Sequence, residues 1–208
     1  FAIYRFICRE LGVSRLAFSE LMAAEVRARL GEITFASATD GNHGKGLAWA
    51  AQKLCFPCII YVHKQTSQAR IDSIREYGAK VRIVDGNYDD AVRQCEQEAR
   101  ANGWQVVSDT AWPGYEDIPR WVMQGYTTLL SETQEQLAYQ GIMRPTHIFL
   151  QAGVGAFAAA MIAYYQKIFR ESAPISIVVE PRTAGCLYHS MQISDGLPHS
   201  ISGDLDTI

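Results

Sequence analysis

The chain has 208 residues, of which 48% are hydrophobic and 20% charged, and a formal net charge of −3. That length suits one large or two small globular domains with a buried core. The absence of a basic block leaves no electrostatic footprint for nucleic acid, and no apolar run approaches the roughly 20 residues of a membrane span.

The first predicted helix runs from Phe1 to Leu11, with Tyr4, Ile7, Cys8 and Leu11 on one stripe and Gly12 ending it. A helix that is apolar from its first residue suggests a chain already under way. A second helix fits Ser19 to Leu30, with Leu21, Met22, Val26 and Leu30 facing inward and Gly31 closing it. From there short β-branched runs alternate with segments of helical period. The predicted strands are Ile33–Ser37, Cys58–Val62, Lys80–Val84, Gln105–Ser108, His147–Gln151 and Ser176–Val179. Between them lie predicted helices at His43–Leu54, Ser67–Tyr77, Asp89–Ala101, Ile118–Gln140 and Ala156–Arg170. Gly78 and Gly103 fall where helix-ending glycines belong. The strands lack polar alternation, as strands covered on both faces do. Strand–helix–strand repetition implies an α/β fold with parallel sheets and right-handed crossovers.

The segment Asp109–Asp117, with Trp112-Pro113-Gly114-Tyr115, is the longest irregular connection. It suggests leading helices over 1–30 packing on a larger unit, a smaller α/β unit over 31–112, and that larger unit over 113–208. Five cysteines, Cys8, Cys55, Cys58, Cys95 and Cys186, are too scattered for a secreted disulfide framework. Reduced thiols and a cytoplasmic location are the expectation.

In open parallel sheets, ligands gather at the carboxyl ends of the strands, where helix N-termini also point. Four junctions qualify: Thr39–His43, Asp85–Tyr88, Asp109–Trp112 and Ala152–Ala156. In Gln151-Ala152-Gly153-Val154-Gly155-Ala156-Phe157, the glycines permit close backbone approach and the following helix start suits a phosphate. A plain tight turn is the alternative. The loop lacks the Lys-Ser/Thr of a nucleoside-triphosphate site and the third glycine of a dinucleotide site. Thr39-Asp40-Gly41-Asn42-His43-Gly44 is denser: Thr39 and the exposed amides could hold a carboxylate, and Asn42 both donates and accepts. An Asp-Gly turn with a helix cap is the alternative there. Asp40 and Asp109, both at strand ends, could converge on one cleft and push one pKa upward, supplying a base; taken by itself, Asp109 is better explained as a turn or helix cap.

Other candidates are weaker. Cys55-Phe56-Pro57-Cys58 has redox spacing, but it follows a helix and leads into a strand, so structural thiols are expected. It also lacks the second pair that a zinc site would want, and no metal is expected. His63 and His147 flank strands without matching partners. Glu180 ends a strand and could line a cleft or serve structure.

Together these residues resemble the fold-type II pyridoxal-phosphate enzymes, whose dehydratases carry a strand followed by Ser-x-Gly-Asn-His. Here that loop reads Thr39-Asp40-Gly41-Asn42-His43, and downstream come Gly153-Val154-Gly155-Ala156-Phe157 and Val179-Glu180-Pro181. The order and spacing agree from about residue 30 to 185. The resemblance implies two doubly wound parallel-sheet units of the tryptophan synthase β-like architecture, with pyridoxal 5′-phosphate as cofactor. Asp40, with Ser108-Asp109-Thr110-Ala111-Trp112, narrows it to the diaminopropionate ammonia-lyases. That implies α,β-elimination of D- and L-2,3-diaminopropionate to pyruvate and ammonia by a homodimer.

Carried over, Asn42 would bond the cofactor 3′ oxygen, and Gly153, Val154, Gly155 and Ala156 its phosphate. Thr39, Gly41 and His43 would hold the substrate carboxylate. Asp40 would take the Cα proton of the D-isomer. Asp109 would hold the substrate amino group or assist proton transfer, and Tyr88 would line the cleft. The family's Schiff-base lysine precedes the first helix, and this sequence opens at Phe1-Ala2-Ile3-Tyr4, so an internal piece of a longer enzyme is expected. A serine or threonine dehydratase, or an inert cofactor- or anion-binding module, are the alternatives.

Overall fold

A computed structural model describes residues 1–39, 41–199 and 201. The chain divides into two units, Phe1–Ser108 and Asp109–Ile208. The boundary precedes the irregular connection instead of falling within it, and the leading helices group with the first unit.

The first unit opens with α1 (Ala2–Leu11), α2 (Phe18–Leu21) and α3 (Ala24–Leu30). It then alternates β1 (Phe35–Ala38), α4 (Asn42–Lys53), β2 (Cys58–His63), α5 (Gln68–Arg75), β3 (Lys80–Val84), α6 (Tyr88–Asn102) and β4 (Gln105–Val106). The four strands pair in the order β3-β2-β1-β4, all parallel. Alternation along β1 and β2 sends side chains into two layers. Ala36, Ala38, Ile59 and Tyr61 pack with Ala91 and Cys95 of α6. Phe35 points the other way, meeting Phe6 of α1 and Phe56 edge-on at 5.7 and 5.3 Å between ring centroids. Helices thus cover the central strands on both faces, which is why β1 and β2 are buried almost throughout.

The predicted helix over 19–30 is broken. Ala23 is extended (φ −66°, ψ 141°) and separates α2 from α3, although nothing in the local sequence breaks a helix. Tertiary contacts set the path of α3. Arg27 donates to the Leu54 and Cys55 carbonyls, each at 2.6 Å, and its guanidinium lies 4.1 Å from the Phe56 ring centroid. That anchorage overrides propensity.

The second unit holds α7 (Asp117–Tyr139), β5 (His147–Gln151), α8 (Ala156–Phe169), a 3-10 turn at Arg170–Ser172 and β6 (Ile175–Val179). A second 3-10 turn at Arg182–Ala184 leads to α9 (Cys186–Ile193), a helix absent from the sequence expectation. β5 and β6 are parallel, in register from His147–Ile175 to Gln151–Val179. One face of the pair buries Leu150 against Leu130, Ala158, Met161 and Tyr165. On the other, among the described residues, Phe149, Ile175 and Val179 are 70%, 61% and 52% exposed. Ahead of α7, the Tyr115 amide bonds the Trp112 carbonyl at 2.8 Å and the two rings stack at 4.0 Å. Gly114, at φ +85°, makes that turn possible.

Candidate functional site

The first unit's strand order reverses direction between β1 and β4: β2 and β3 build to one side of β1, and β4 joins on the other. Crevices form outside the carboxyl ends of strands at such a point. The chain leaving β1 there is Thr39 to His43. Thr39 is buried, its amide donates to the Tyr61 carbonyl at 3.0 Å, and its Oγ1 accepts the Gly41 N–H at 3.3 Å. Asp40 lies outside the described residues. Gly41 is the N-cap of α4 and makes no side-chain cap, and the exposed Asn42 is the first residue of the helix.

His43 reaches across the switch point, its Nε2 2.8 Å from the Val107 carbonyl beyond β4. A carbonyl only accepts, so Nε2 carries the proton and a neutral ring offers Nδ1 as an acceptor. His43 therefore fastens the α4 start to the β4 side. It donates to a carboxylate only when both nitrogens are protonated. Tyr88, partly buried, is the first residue of α6, beyond β3. Asn87 and Asp90 cap that helix reciprocally, at 3.0 and 2.9 Å. The first unit thus brings Thr39, Gly41, Asn42 and His43 together, and Tyr88 stands at the same strand-end edge.

In the second unit the glycine turn joins β5 to α8. Gly155 takes φ +88°, in the left-handed region, and is the N-cap of α8, with no side chain to cap and no acidic residue in the first turn. The helix start therefore presents amides without a side-chain partner among the described residues. Gly153 and Val154 are exposed, while Ala156 is buried. Asp109 begins this unit. The Tyr126 hydroxyl is pushed above the usual phenol range, first by burial and then by the Asp109 charge. The Tyr126 ring in turn meets Phe157 edge-on at 5.5 Å.

Glu180 proves to be a helix cap. Its two oxygens accept the Leu187 and Tyr188 amides at 2.9 and 2.8 Å, and Cys186 Sγ lies 3.6 Å from Oε1. Cys186 Sγ also lies 3.4 Å from the Gly153 carbonyl, so the start of α9 braces the glycine turn. Sequence reading missed this brace and Tyr126; a carboxylate after a strand and a tyrosine in a helix carry no local signal for either.

Burial pushes the Cys58 thiol up to about 12, the opposite of a redox nucleophile. Cys55 is exposed, at φ +55°. His63 Nδ1 accepts the Gln65 amide at 3.2 Å in a turn, and His147 Nδ1 lies 3.0 Å from Thr146 Oγ1. Lys45, in α4, sets its ammonium 5.9 Å from the Tyr77 ring centroid. Among the described residues no cluster of three or more metal-ligating side chains occurs, and no helix is long and apolar enough to cross a membrane.

Residues 14–207 match the family described as pyridoxal-phosphate dependent enzymes. A diaminopropionate ammonia-lyase of Salmonella typhimurium is 44% identical over 210 residues, spanning 100% of this chain and 52% of that protein. The holo diaminopropionate ammonia lyase from Escherichia coli, solved with selenomethionine, is similar at a TM-score of 0.87 and 43% identity, over 99% of this chain and 52% of that one. That enzyme in complex with D-serine gives 0.88 and 42%, over 98% and 51%. The chain spans about half the length of the curated relatives it matches.

Proposed function

The chain belongs to the pyridoxal-phosphate dependent enzymes, and on that premise we propose that the protein carrying it is a diaminopropionate ammonia-lyase. The observation that carries the reading is the Thr39–His43 loop at the switch point of the first unit's sheet, tied to the β4 side by the 2.8 Å contact between His43 and Val107. Support comes from 44% identity, along the whole chain, to a protein of that name.

The residues fit the cofactor's chemistry. The α8 start, capped only by Gly155, offers backbone amides and a positive dipole end to a phosphate. Gly153, Val154, Gly155 and Ala156 are the phosphate partners in this reading, and Asn42 the partner of the 3′ oxygen. Pyridoxal phosphate, when bound, supplies an electron sink for charge developing at the substrate Cα. The protein's part is to orient the substrate and move protons. Thr39 and Gly41 hold the carboxylate, the Thr39 hydroxyl donating to it while its Oγ1 accepts the Gly41 N–H, with His43 contributing when its ring is doubly protonated. Tyr88 walls the pocket. Asp40 takes the Cα proton of the D-isomer, and Asp109 holds the amino group or passes a proton. The Cα proton comes off, the β-amine leaves as ammonia, and hydrolysis of the product yields pyruvate and a second ammonia. The same reading extends to a homodimeric cytoplasmic enzyme that takes a small amino acid.

The test uses the full-length protein loaded with pyridoxal phosphate and offered D- and L-2,3-diaminopropionate and serine. Two ammonia per pyruvate from both diaminopropionate isomers is the expected result; turnover of serine alone would assign a dehydratase instead. Asp40→Asn is expected to lower turnover of the D-isomer by about a hundredfold or more. L-isomer turnover should fall far less, and equal losses for both would remove Asp40 from the assigned role.

A further inference from the structure

We propose that Gly44 is a positioning residue: having no side chain, it holds the Thr39 hydroxyl in the one rotamer that faces the ligand's carboxylate. The inference rests on the reading above for the role of Thr39, and adds to it a residue that touches no ligand.

The geometry is confined to the first unit. Gly44 lies in the first turn of α4, buried against the sheet. A Cβ built on it would overlap Thr39 Cγ2, and would stand 3.2 Å from Ile60 Cγ2 and 3.5 Å from Ile74 Cδ1. Thr39 thus fills the hydrogen-sized space above Gly44 with its methyl group, and with the methyl there its Oγ1 faces the Gly41 amide at 3.3 Å. A β-branched side chain has three staggered wells. Rotating Thr39 one way puts Oγ1 into the crowded slot. Rotating it the other way puts Hβ there and carries Oγ1 away from Gly41. A methyl on residue 44 therefore leaves Thr39 no rotamer that relieves the overlap and keeps the hydroxyl in place. A serine at position 39 escapes the conflict: its second hydrogen takes the crowded slot while Oγ stays beside Gly41. Residues 39 and 44 are coupled through a single methyl group.

A double-mutant cycle on the full-length protein tests this, with Gly44→Ala made alone and together with Thr39→Ser. Made alone, Gly44→Ala is expected to raise KM for 2,3-diaminopropionate at least about tenfold, the loss of one hydrogen bond to a charged group. It should also lower Tm by about 5 °C through overpacking. On top of Thr39→Ser both effects should shrink severalfold, leaving only the closer approach to Ile60. Equal Tm losses in the two backgrounds would overturn the steric coupling, whether or not the wild type is a lyase. Coupling in Tm with no change in KM would leave a packing glycine and overturn the positioning role. A wild type inactive on diaminopropionate would sink the lyase reading, while the Tm cycle still decides the coupling.

Discussion

Glu180 shows how a residue's task depends on where the chain goes next. The sequence left it between a cleft and a structural role because α9 has no capping Ser, Thr, Asp or Asn before its first turn. The acceptors come from the end of β6, seven and eight positions upstream of the amides they bind. Glu180→Ala strips both amides of their partner and is expected to cost about 2–3 kcal/mol, the scale of hydrogen bonds to a charged group. Glu180→Gln keeps one acceptor oxygen and should cost less. Urea midpoints of the two variants would show the order, and an unchanged midpoint for Glu180→Ala would remove the cap from the account. Because Cys186 at the same helix start touches the Gly153 carbonyl, the alanine variant should also weaken retention of added pyridoxal phosphate.

Most elements were legible because the apolar period changes cleanly between strand and helix from residue 33 onward. The break at Ala23 was not, since it follows from tertiary contacts such as those of Arg27, which pins α3 to the end of α4 through two carbonyls and a ring. Arg27→Lys keeps the charge but loses the fork and the stacked plane, and is expected to destabilise by about 1–2 kcal/mol in chemical denaturation. Between β2 and α6, burial pushes the Cys58 and Cys95 thiols up to about 12 from 9.0. The unfolded chain gives up these protons near 9.0 and the folded chain near 12, so between those values the unfolded state binds fewer protons. Stability therefore falls as pH rises through that window, by at most about 1.4 kcal/mol per pH unit per thiol. Cys95→Ala should flatten the slope measured from urea midpoints between about pH 9 and 11; an unaltered slope would mean the thiol titrates alike in both states.

At the scale of the whole molecule, the strands of the two units differ in exposure among the described residues. The loop at β1 was recognisable from Gly41, Asn42 and His43, whereas the bond from His43 to Val107 could not be read without the strand order. Among the described residues, the face of β5 and β6 that carries Phe149 and Ile175, 70% and 61% exposed, is the kind of apolar patch that drives association. Threonine at both positions keeps strand propensity, and should lower binding of an apolar dye by the 208-residue chain without reducing its Tm. The His43–Val107 contact has a kinetic side as well. It joins residues 64 apart, and the strand that delivers Val107 is only two residues long. Closing so long a loop costs entropy that so short a strand repays poorly. β4 should therefore dock late and lift off first, and its amides should exchange with deuterium ahead of those in β2. Each lifting would dissolve one wall of the crevice, so the protein's apparent affinity for its ligand would follow the fraction of time that this short strand stays seated.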